Sequence, residues 1–398
     1  MSIYAAELRQ SYNQLIEDAH SAHMDNTRIG YLAATEKFTA AAAVADLICG
    51  VYGANRRAVA DELLSSSLIC LHDMAPAARA AFSSLRAARA TGSRTLIVTA
   101  LTVCGEVAMT APGEMVSVER ESREHDRLSD YSSYRGLNPS WEGRIDLPTT
   151  PAALNQLGPA YNEAAVAICD KALTETGGRG SPAAEDYRRV PGLKVEARAR
   201  ARLAIFLLWV NPWRGFELMR PAVACARLLL RTAEPGPHAV DAQRDLANHL
   251  CNQGTMNDRI GSEGMAETEA CLREALALGE GLEDVRLAVK TLRCLVNICG
   301  EAQAAVGPAE AEALRSRLNQ LLVQMGRLPE TSCSICLESL APPADGAAED
   351  AAGGGGSGNT SGPLDSCVRV MFCYHQFHYG CLTTWRRTTS NRACPICK

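Results

Sequence analysis

Eight cysteine and histidine residues near the end of the chain have the types and the spacing of metal ligands. In chain order they are Cys333, Cys336, Cys373, His375, His378, Cys381, Cys394 and Cys397. Zinc prefers thiolate sulfur and imidazole nitrogen, and a structural zinc site fills all four positions from the protein. The set is therefore large enough for two zinc ions with closed coordination.

Each short interval suits a local structure that turns two ligands toward one ion. A Cys-x2-Cys turn, present at both ends of the set, brings two sulfur atoms together. Cys373 and His375 are two residues apart, so their side chains leave an extended strand by the same face. His378 and Cys381 are three apart, which makes them neighbours on a helical turn. Spacing alone does not decide which four residues share an ion.

This pattern resembles a RING finger of the RING-H2 type, in which histidine occupies the fourth and fifth ligand positions. The resemblance covers residues 330–398 and implies a small ββα domain with two zinc ions. Ligands of this family interleave in a cross-brace, which assigns them to two groups, Cys333, Cys336, His378 and Cys381 for one ion and Cys373, His375, Cys394 and Cys397 for the other. Each site would carry a formal charge of about −1 from Zn²⁺ and its thiolates.

The resemblance also implies contacts with a ubiquitin-conjugating enzyme (E2) and with ubiquitin. At the family's E2-contact positions this chain has Ile335, Trp385 and Pro395. The alternative is that Ile335 and Trp385 belong to a small core around the zinc. After the last ligand, many active RING fingers carry an arginine that restrains ubiquitin, and here Lys398 stands in its place. Lysine supplies the charge but not the planar fork, so we expect weaker ubiquitin activation.

The insertion between the second and third ligands is long. Residues 341–363 are rich in glycine, alanine, proline and acidic side chains, which is the composition of a flexible linker. Lengthening a loop adds little closure entropy, so the insertion is compatible with an intact finger.

Composition limits the possible partners and compartments. The 398 residues carry a net charge of −5, which argues against nucleic acid as the main partner. Of the 16 cysteines, six belong to the zinc set and nine of the other ten are scattered through apolar runs, as buried thiols are. We therefore expect a reducing compartment, the cytoplasm or the nucleus. The most apolar run, residues 203–210, and the longer alanine-rich stretch 38–54, which contains Asp46, both fall short of the roughly 20 residues of a membrane span. The first residues lack the features of a signal peptide.

Residues 1–329 have the composition of helices, with apolar residues three and four apart. We predict helices at 3–23, 29–51, 56–72, 76–90, 94–109, 152–174, 194–209, 215–232, 238–253, 265–279, 284–304 and 308–326. Residues 112–151 are polar and are predicted to form a loop or linker. The chain would then divide into helical regions at 1–111 and 152–329 and a zinc finger at 330–398.

An internal repeat is visible in the second helical region. Leu246-Ala-Asn248 echoes Leu295-Val-Asn297, and helix pairs recur at about 40–50 residues. This weakly resembles tetratricopeptide-type hairpins, whose usual period is about 34 residues. Such hairpins bury their apolar faces by stacking into a solenoid. An irregular helical bundle is the alternative. The basic string Arg198, Arg200 and Arg202 is interpreted as a solvated helix face.

Two classes of function fit a mainly α chain that ends in a RING-H2 finger. The first is a RING-type E3 ubiquitin ligase, which would hold a ubiquitin-charged E2 on the finger and recruit an unknown protein target through the helical region. No residue of the finger would form a covalent bond with ubiquitin, because the gain in rate comes from positioning the E2-bound ubiquitin. The second is a non-enzymatic scaffold, in which the finger serves complex assembly.

Overall fold

The computed structural model describes residues 3–25, 27–48, 50–128, 155–175, 191–208, 211–257, 265–298, 308–340, 367–371, 373–389 and 394–397. Within these ranges the chain is mainly helical, as the sequence predicts. It divides into two compact units, residues 1–209 and 210–398. No helix in the described ranges combines the length and apolar character needed to cross a membrane.

The first unit contains eight described helices, in which sequence neighbours pack as hairpins. They are α1 (Ile3–Met24), α2 (Arg28–Leu47), α3 (Gly50–Cys70), α4 (Met74–Thr91), α5 (Arg94–Thr110), α6 (Pro112–Leu128), α7 (Leu157–Glu175) and α8 (Pro191–Leu207). Large apolar residues such as Leu85, Ile97 and Leu101 are fully buried among alanines. Small residues let neighbouring helices approach closely. At Gly105 of α5, an added Cβ would lie 2.3 Å from Asn162 Nδ2 of α7.

Two element boundaries differ from the predictions. Residues 112–128 form helix α6 instead of a loop. Pro112 is preorganised for the first helical turn, Glu114 complements the helix dipole, and Met115 is fully buried. The predicted helix over 29–51 is instead split, because Gly50 adopts a left-handed φ of 72°.

The arginine string at 198–202 is partly buried, so its interpretation as a solvated helix face was wrong. Arg200 is 5% exposed. Its Nε donates to Glu196 Oε1 at 2.9 Å, and its Nη2 donates to Asp170. Arg202 pairs with Glu106 at 2.9 Å. Buried guanidinium groups are tolerated when carboxylates surround them, and sequence spacing does not reveal carboxylates brought in from other helices.

The second unit begins with two helical hairpins and a fifth helix. Its helices are α9 (Pro212–Thr232), α10 (Pro237–Asn257), α11 (Met265–Gly281), α12 (Val285–Ile298) and α13 (Pro308–Gln324). Helices α9, α11 and α13 form one row that is joined by ion pairs, which are Arg220–Glu267 at 2.6 Å, Arg227–Glu274, Arg273–Glu310 at 2.8 Å and Arg317–Glu280 at 2.7 Å. In the other row, Lys290 of α12 donates to Asn252 of α10 at 2.8 Å. This is the stacked, solenoid-like arrangement that the repeat predicts.

The end of the second unit folds as ββα. Strands β1 (Val368–Val370) and β2 (Gln376–His378) are antiparallel, with Arg369 opposite Phe377. Helix α14 (Tyr379–Thr389) follows β2 directly. The small core between them contains Phe377, Leu340 and Leu382, together with two zinc-ligand cysteines. So small a core needs additional stabilisation, which zinc can supply.

Candidate metal centres

The first pair of cysteines lies on a tight turn that precedes the sheet. Cys333 N donates to Glu338 O at 2.8 Å, and Leu337 N donates back to Cys333 O at 2.7 Å. Leu337 closes the turn with a φ of 66°, an uncommon conformation for a residue other than glycine. The turn directs both cysteines of the motif toward one point. Such backbone strain persists only where the surrounding structure maintains it.

Four ligands converge beside this turn and form what we call site 1. Site 1 comprises Cys333, Cys336, His378 and Cys381, whose ligand atoms all lie within 4.8 Å of one another. His378 Nδ1 is 3.3 Å from the sulfur of Cys336 and 4.0 Å from that of Cys381. His378 ends β2 and Cys381 lies in the first turn of α14, so the strand-to-helix junction supplies half of the site.

Site 2 comprises Cys373, His375, Cys394 and Cys397, whose ligand atoms also lie within 4.8 Å of one another. A second tight turn supplies the first two ligands, with Tyr374 between them at a φ of 70°. His375 Nδ1 is 3.2 Å from Cys373 Sγ and 3.3 Å from each of the other two sulfur atoms. Along the chain, the first two ligands of site 2 precede His378 and Cys381 of site 1, and its last two ligands follow them. The two sites therefore interleave as a cross-brace.

Both sites fit zinc. A tetrahedral ion with normal bond lengths places sulfur and imidazole nitrogen about 3.6 Å apart, which matches the distances of 3.2–4.0 Å around the two histidines. Each site offers three sulfur atoms and one nitrogen, so the protein alone satisfies four-coordination. The finger therefore holds two structural zinc ions. With no coordination position left for a water or substrate, neither ion is suited to direct catalysis.

Groups outside the ligand sets lie beside both histidine rings. Each ring turns Nδ1 toward its site, so Nε2 carries the proton and points away. His378 Nε2 lies 3.1 Å from the carbonyl oxygen of Ser339, and His375 Nε2 lies 4.0 Å from Glu330 Oε1. The Ser339 carbonyl lies at hydrogen-bond distance, which fixes the His378 ring and raises the basicity of its ligand nitrogen. Glu330 lies beyond hydrogen-bond distance from His375 and acts on that ring through its negative charge. Sequence reasoning missed Ser339 and Glu330, although Glu330 stands just before the first ligand.

Without a cation, burial and neighbouring thiols oppose ionisation of one cysteine in each site. Burial, followed by hydrogen bonding with Cys336, raises the pKa of Cys381 to about 12. A hydrogen bond with Cys373, followed by burial, raises the pKa of Cys397 to about 11. Since zinc binds thiolates, the ion must displace protons from both sites.

The apolar positions that the resemblance assigns to E2 contact are neither fully buried nor fully exposed. Ile335, Trp385 and Pro395 are each half-buried, and Ile335 packs partly against the finger core. Two further apolar side chains beside the ligands are more exposed, Leu337 at 79% and Ile396 at 44%. Sequence reasoning did not select these two. Lys398 lies outside the described residues.

Comparisons with known proteins agree with this geometry. Residues 333–397 match the family model for the zinc finger of C3HC4 type, the RING finger. That description has one histidine, whereas this chain has a second, His378, at the fifth ligand position.

A stretch of 102 residues is 30% identical to the E3 ubiquitin-protein ligase SDIR1 of Arabidopsis thaliana. The matched stretch covers 26% of this chain and spans 28% of the length of that relative. Two closed sites with three sulfur ligands and one nitrogen ligand, a ββα fold and a matching family model lead to one conclusion: residues 333–397 of this chain are a RING finger.

Proposed function

We propose that the chain is a RING-type E3 ubiquitin ligase. The observation that carries the proposal is the finger itself, whose two closed zinc sites hold Ile335, Trp385 and Pro395 half-exposed on separate elements. Apolar groups that a small domain leaves accessible to solvent are candidates for contact with a partner. Similarity to a chain described as an E3 ubiquitin-protein ligase supports the same function.

In this proposal the finger acts by positioning. Ile335, Trp385 and Pro395 bind the E2, while Lys398 helps to hold the attached ubiquitin in one orientation. A substrate lysine then attacks the E2–ubiquitin thioester, and ubiquitin passes to the amine while the E2 thiol leaves. Restricting the thioester to a reactive geometry lowers the entropic part of the barrier. The helical region recruits the protein target.

The small number of lysines in this chain affects how its ligase activity should be measured. The sequence has five lysines against 35 arginines. They are Lys37, Lys171, Lys194, Lys290 and Lys398. With so few acceptors, self-modification would underestimate the activity. Discharge of a ubiquitin-charged E2 to free lysine in solution avoids this dependence.

Two tryptophans provide a matched test. Trp385→Ala should reduce discharge at least tenfold over a panel of E2 enzymes, while the zinc content stays at two ions per chain. Trp213→Ala removes a more exposed ring, 49% exposed, from helix α9 and should leave discharge unchanged. Failure of the wild-type protein to accelerate discharge from any E2 would overturn the ligase proposal.

A non-enzymatic scaffold is the second candidate, and the lysine at position 398 favours it. If the ligase proposal holds, Lys398→Arg should raise the discharge rate several-fold, because arginine offers a bidentate fork where lysine offers a point charge. In a scaffold, neither this substitution nor Trp385→Ala would produce or remove any discharge.

A further inference from the structure

The RING finger contacts helices α12 and α13 through polar groups with specific geometry. Asn297 of α12 accepts from Val370 N at 2.8 Å through Oδ1 and donates to Val370 O at 2.9 Å through Nδ2. These two backbone groups lie on the edge of β1 that faces away from β2. A single side chain thus pairs with the open edge of the hairpin as a neighbouring strand would.

Helix α13 holds the other strand. Gln376 is fully buried, and its Nε2 donates to Asn319 Oδ1 of α13 at 2.7 Å. Its backbone N–H donates to Glu330 Oε2 at 2.7 Å. Burying an amide side chain is costly without partners. Gln376 Oε1 has no hydrogen-bond partner among the described residues, so the bond from Nε2 to Asn319 is the contact that ties this side chain to α13.

The joint continues beyond the end of helix α13. The guanidinium group of Arg327 stacks over the Tyr374 ring at 5.1 Å. Arg327 Nη1 also donates to Cys373 O at 3.5 Å. The finger is therefore held at both strands and at the turn of site 2.

The repeat explains why the finger lies there. Helices α10 and α12 begin 48 residues apart, at Pro237 and Val285, and a third member of this row would begin near residue 333, the first zinc ligand. Helix α12 contacts α10 and also contacts β1. Ten of its 14 residues are buried, so it is covered on several sides. The finger thus stands where the second helix of a third hairpin would stand.

We propose that the RING finger is the terminal element of the helical repeat and that Asn297 is the positioning residue that fixes it. A terminal repeat covers an apolar face that would otherwise meet water. Zinc binding therefore stabilises helix α12 as well as the finger. A consequence, which rests on the proposed ligase function, is that an E2 on the finger has a fixed orientation relative to helices α9–α13.

The repeat also supplies a matched control for Asn297. Asn248 occupies the corresponding position in helix α10, within the echoing Leu-x-Asn sequence. Its Nδ2 donates to Arg244 O at 3.1 Å, a contact within its own helix. Both asparagines are half-buried. Asn248→Ala therefore removes a comparable side chain without touching the joint.

Hydrogen exchange of the zinc-loaded full chain tests the joint. Asn297→Ala should accelerate amide exchange about tenfold in peptides covering 367–371 and 285–298, since two hydrogen bonds are lost. Asn297→Asp keeps the acceptor for Val370 N and should give an intermediate effect. Asn248→Ala should leave both peptides unchanged. If Asn297→Ala retains two zinc ions and exchange in these peptides is unaltered, the proposal is overturned.

If Asn297→Ala loses zinc, the same proposal is tested by removing zinc from the wild-type protein with a chelator and measuring hydrogen exchange in α12 and α10. Removing zinc should accelerate exchange in α12 at least tenfold more than in α10, because α12 packs against the finger's β1 strand and its Asn297 is hydrogen-bonded to Val370. Equal exchange in both helices after chelation would contradict the proposal. Discharge of a charged E2 to free lysine should be the same for Asn297→Ala and the wild type, so failure of the joint and failure of the ligase function are distinguishable.

Discussion

The RING finger and the first helical unit are stabilised by different physical means. The finger buries a few apolar side chains around Phe377 and depends on two ions that tie the start of its segment to its end. Residues 1–209 instead bury many small and medium apolar side chains between helices. Metal binding is coupled to folding in the first case, and close packing determines stability in the second. Loss of zinc should therefore leave the packing of residues 1–209 intact, and a packing change in that unit should leave zinc binding intact.

The largest expected effect is loss of a zinc ligand. Cys394→Ser removes one of the four ligands of site 2 and should reduce the zinc content from two ions to one, because structural zinc sites contribute the folding energy of small fingers. Amides of 367–397 should lose protection, while the helices of residues 1–209 stay protected. Hydrogen exchange and elemental analysis measure both outcomes.

The matched control for that substitution is Cys225→Ser, which changes a buried thiol of α9 outside both sites. It should keep two zinc ions and a protected finger. Equal zinc loss in both variants would show that cysteine substitution disturbs the unit in general, and the contrast between the two regions would fail.

A packing change should affect only the helical unit. Gly105→Ala places a methyl group 2.3 Å from Asn162 Nδ2, which is buried against α5, and should destabilise the unit by about 1–3 kcal/mol despite the better helix propensity of alanine. Thermal unfolding followed by circular dichroism measures the loss, and zinc content should stay at two.

The control for the packing change is Gly113→Ala, where an added Cβ meets nothing within 4 Å. It should be neutral or slightly stabilising. A similar melting temperature for both variants would mean that close packing at Gly105 does not limit stability.

Acidification should release zinc from the finger before it unfolds the first unit. The pKa values of Cys381 and Cys397 are raised in the absence of a cation, so these thiols carry protons at neutral pH before zinc binds. Zinc requires the thiolates, so its affinity falls as the pH falls, by about tenfold per pH unit for each proton displaced. Chelator competition between pH 8 and pH 6 measures this slope, and a pH-independent affinity would contradict it.

The smallest expected effect is on zinc affinity and comes from Glu330, which lies beside site 2 but is not one of its ligands. Glu330→Gln keeps an acceptor for Gln376 N but removes the negative charge that lies 4.0 Å from His375 Nε2. Zinc affinity should fall about tenfold, at the lower end of the range for such partners. Glu338→Gln removes an exposed charge beside the first turn and should change affinity less than twofold. Equal affinities in the two variants would exclude a role for Glu330.

The two regions also differ in how far sequence alone predicts them. The ligands of the finger could be named residue by residue, because bond lengths and short intervals restrict which residue types can meet at an ion. Most helices were predicted to within a few residues from apolar spacing. Helix α6 was missed because its anchor, Met115, packs against elements that local spacing does not reveal.

Long-range contacts account for what the sequence did not predict. Asn297 and Val370 are 73 residues apart, and no local pattern indicates that they meet. The burial of Arg200 likewise depends on Asp170, which a different helix supplies. An asparagine at a repeated position predicted the repeat, but not that one copy would hold the finger.

X-ray absorption at the zinc edge tests the central claim most directly, because it reports the ligands of both ions in the intact protein. The structure predicts two zinc ions per chain with an average of three sulfur ligands at about 2.3 Å and one nitrogen ligand at about 2.0–2.1 Å. A single ion per chain, or an average of clearly fewer than three sulfur ligands per ion, would contradict the closed sites on which the fold and the proposed function depend.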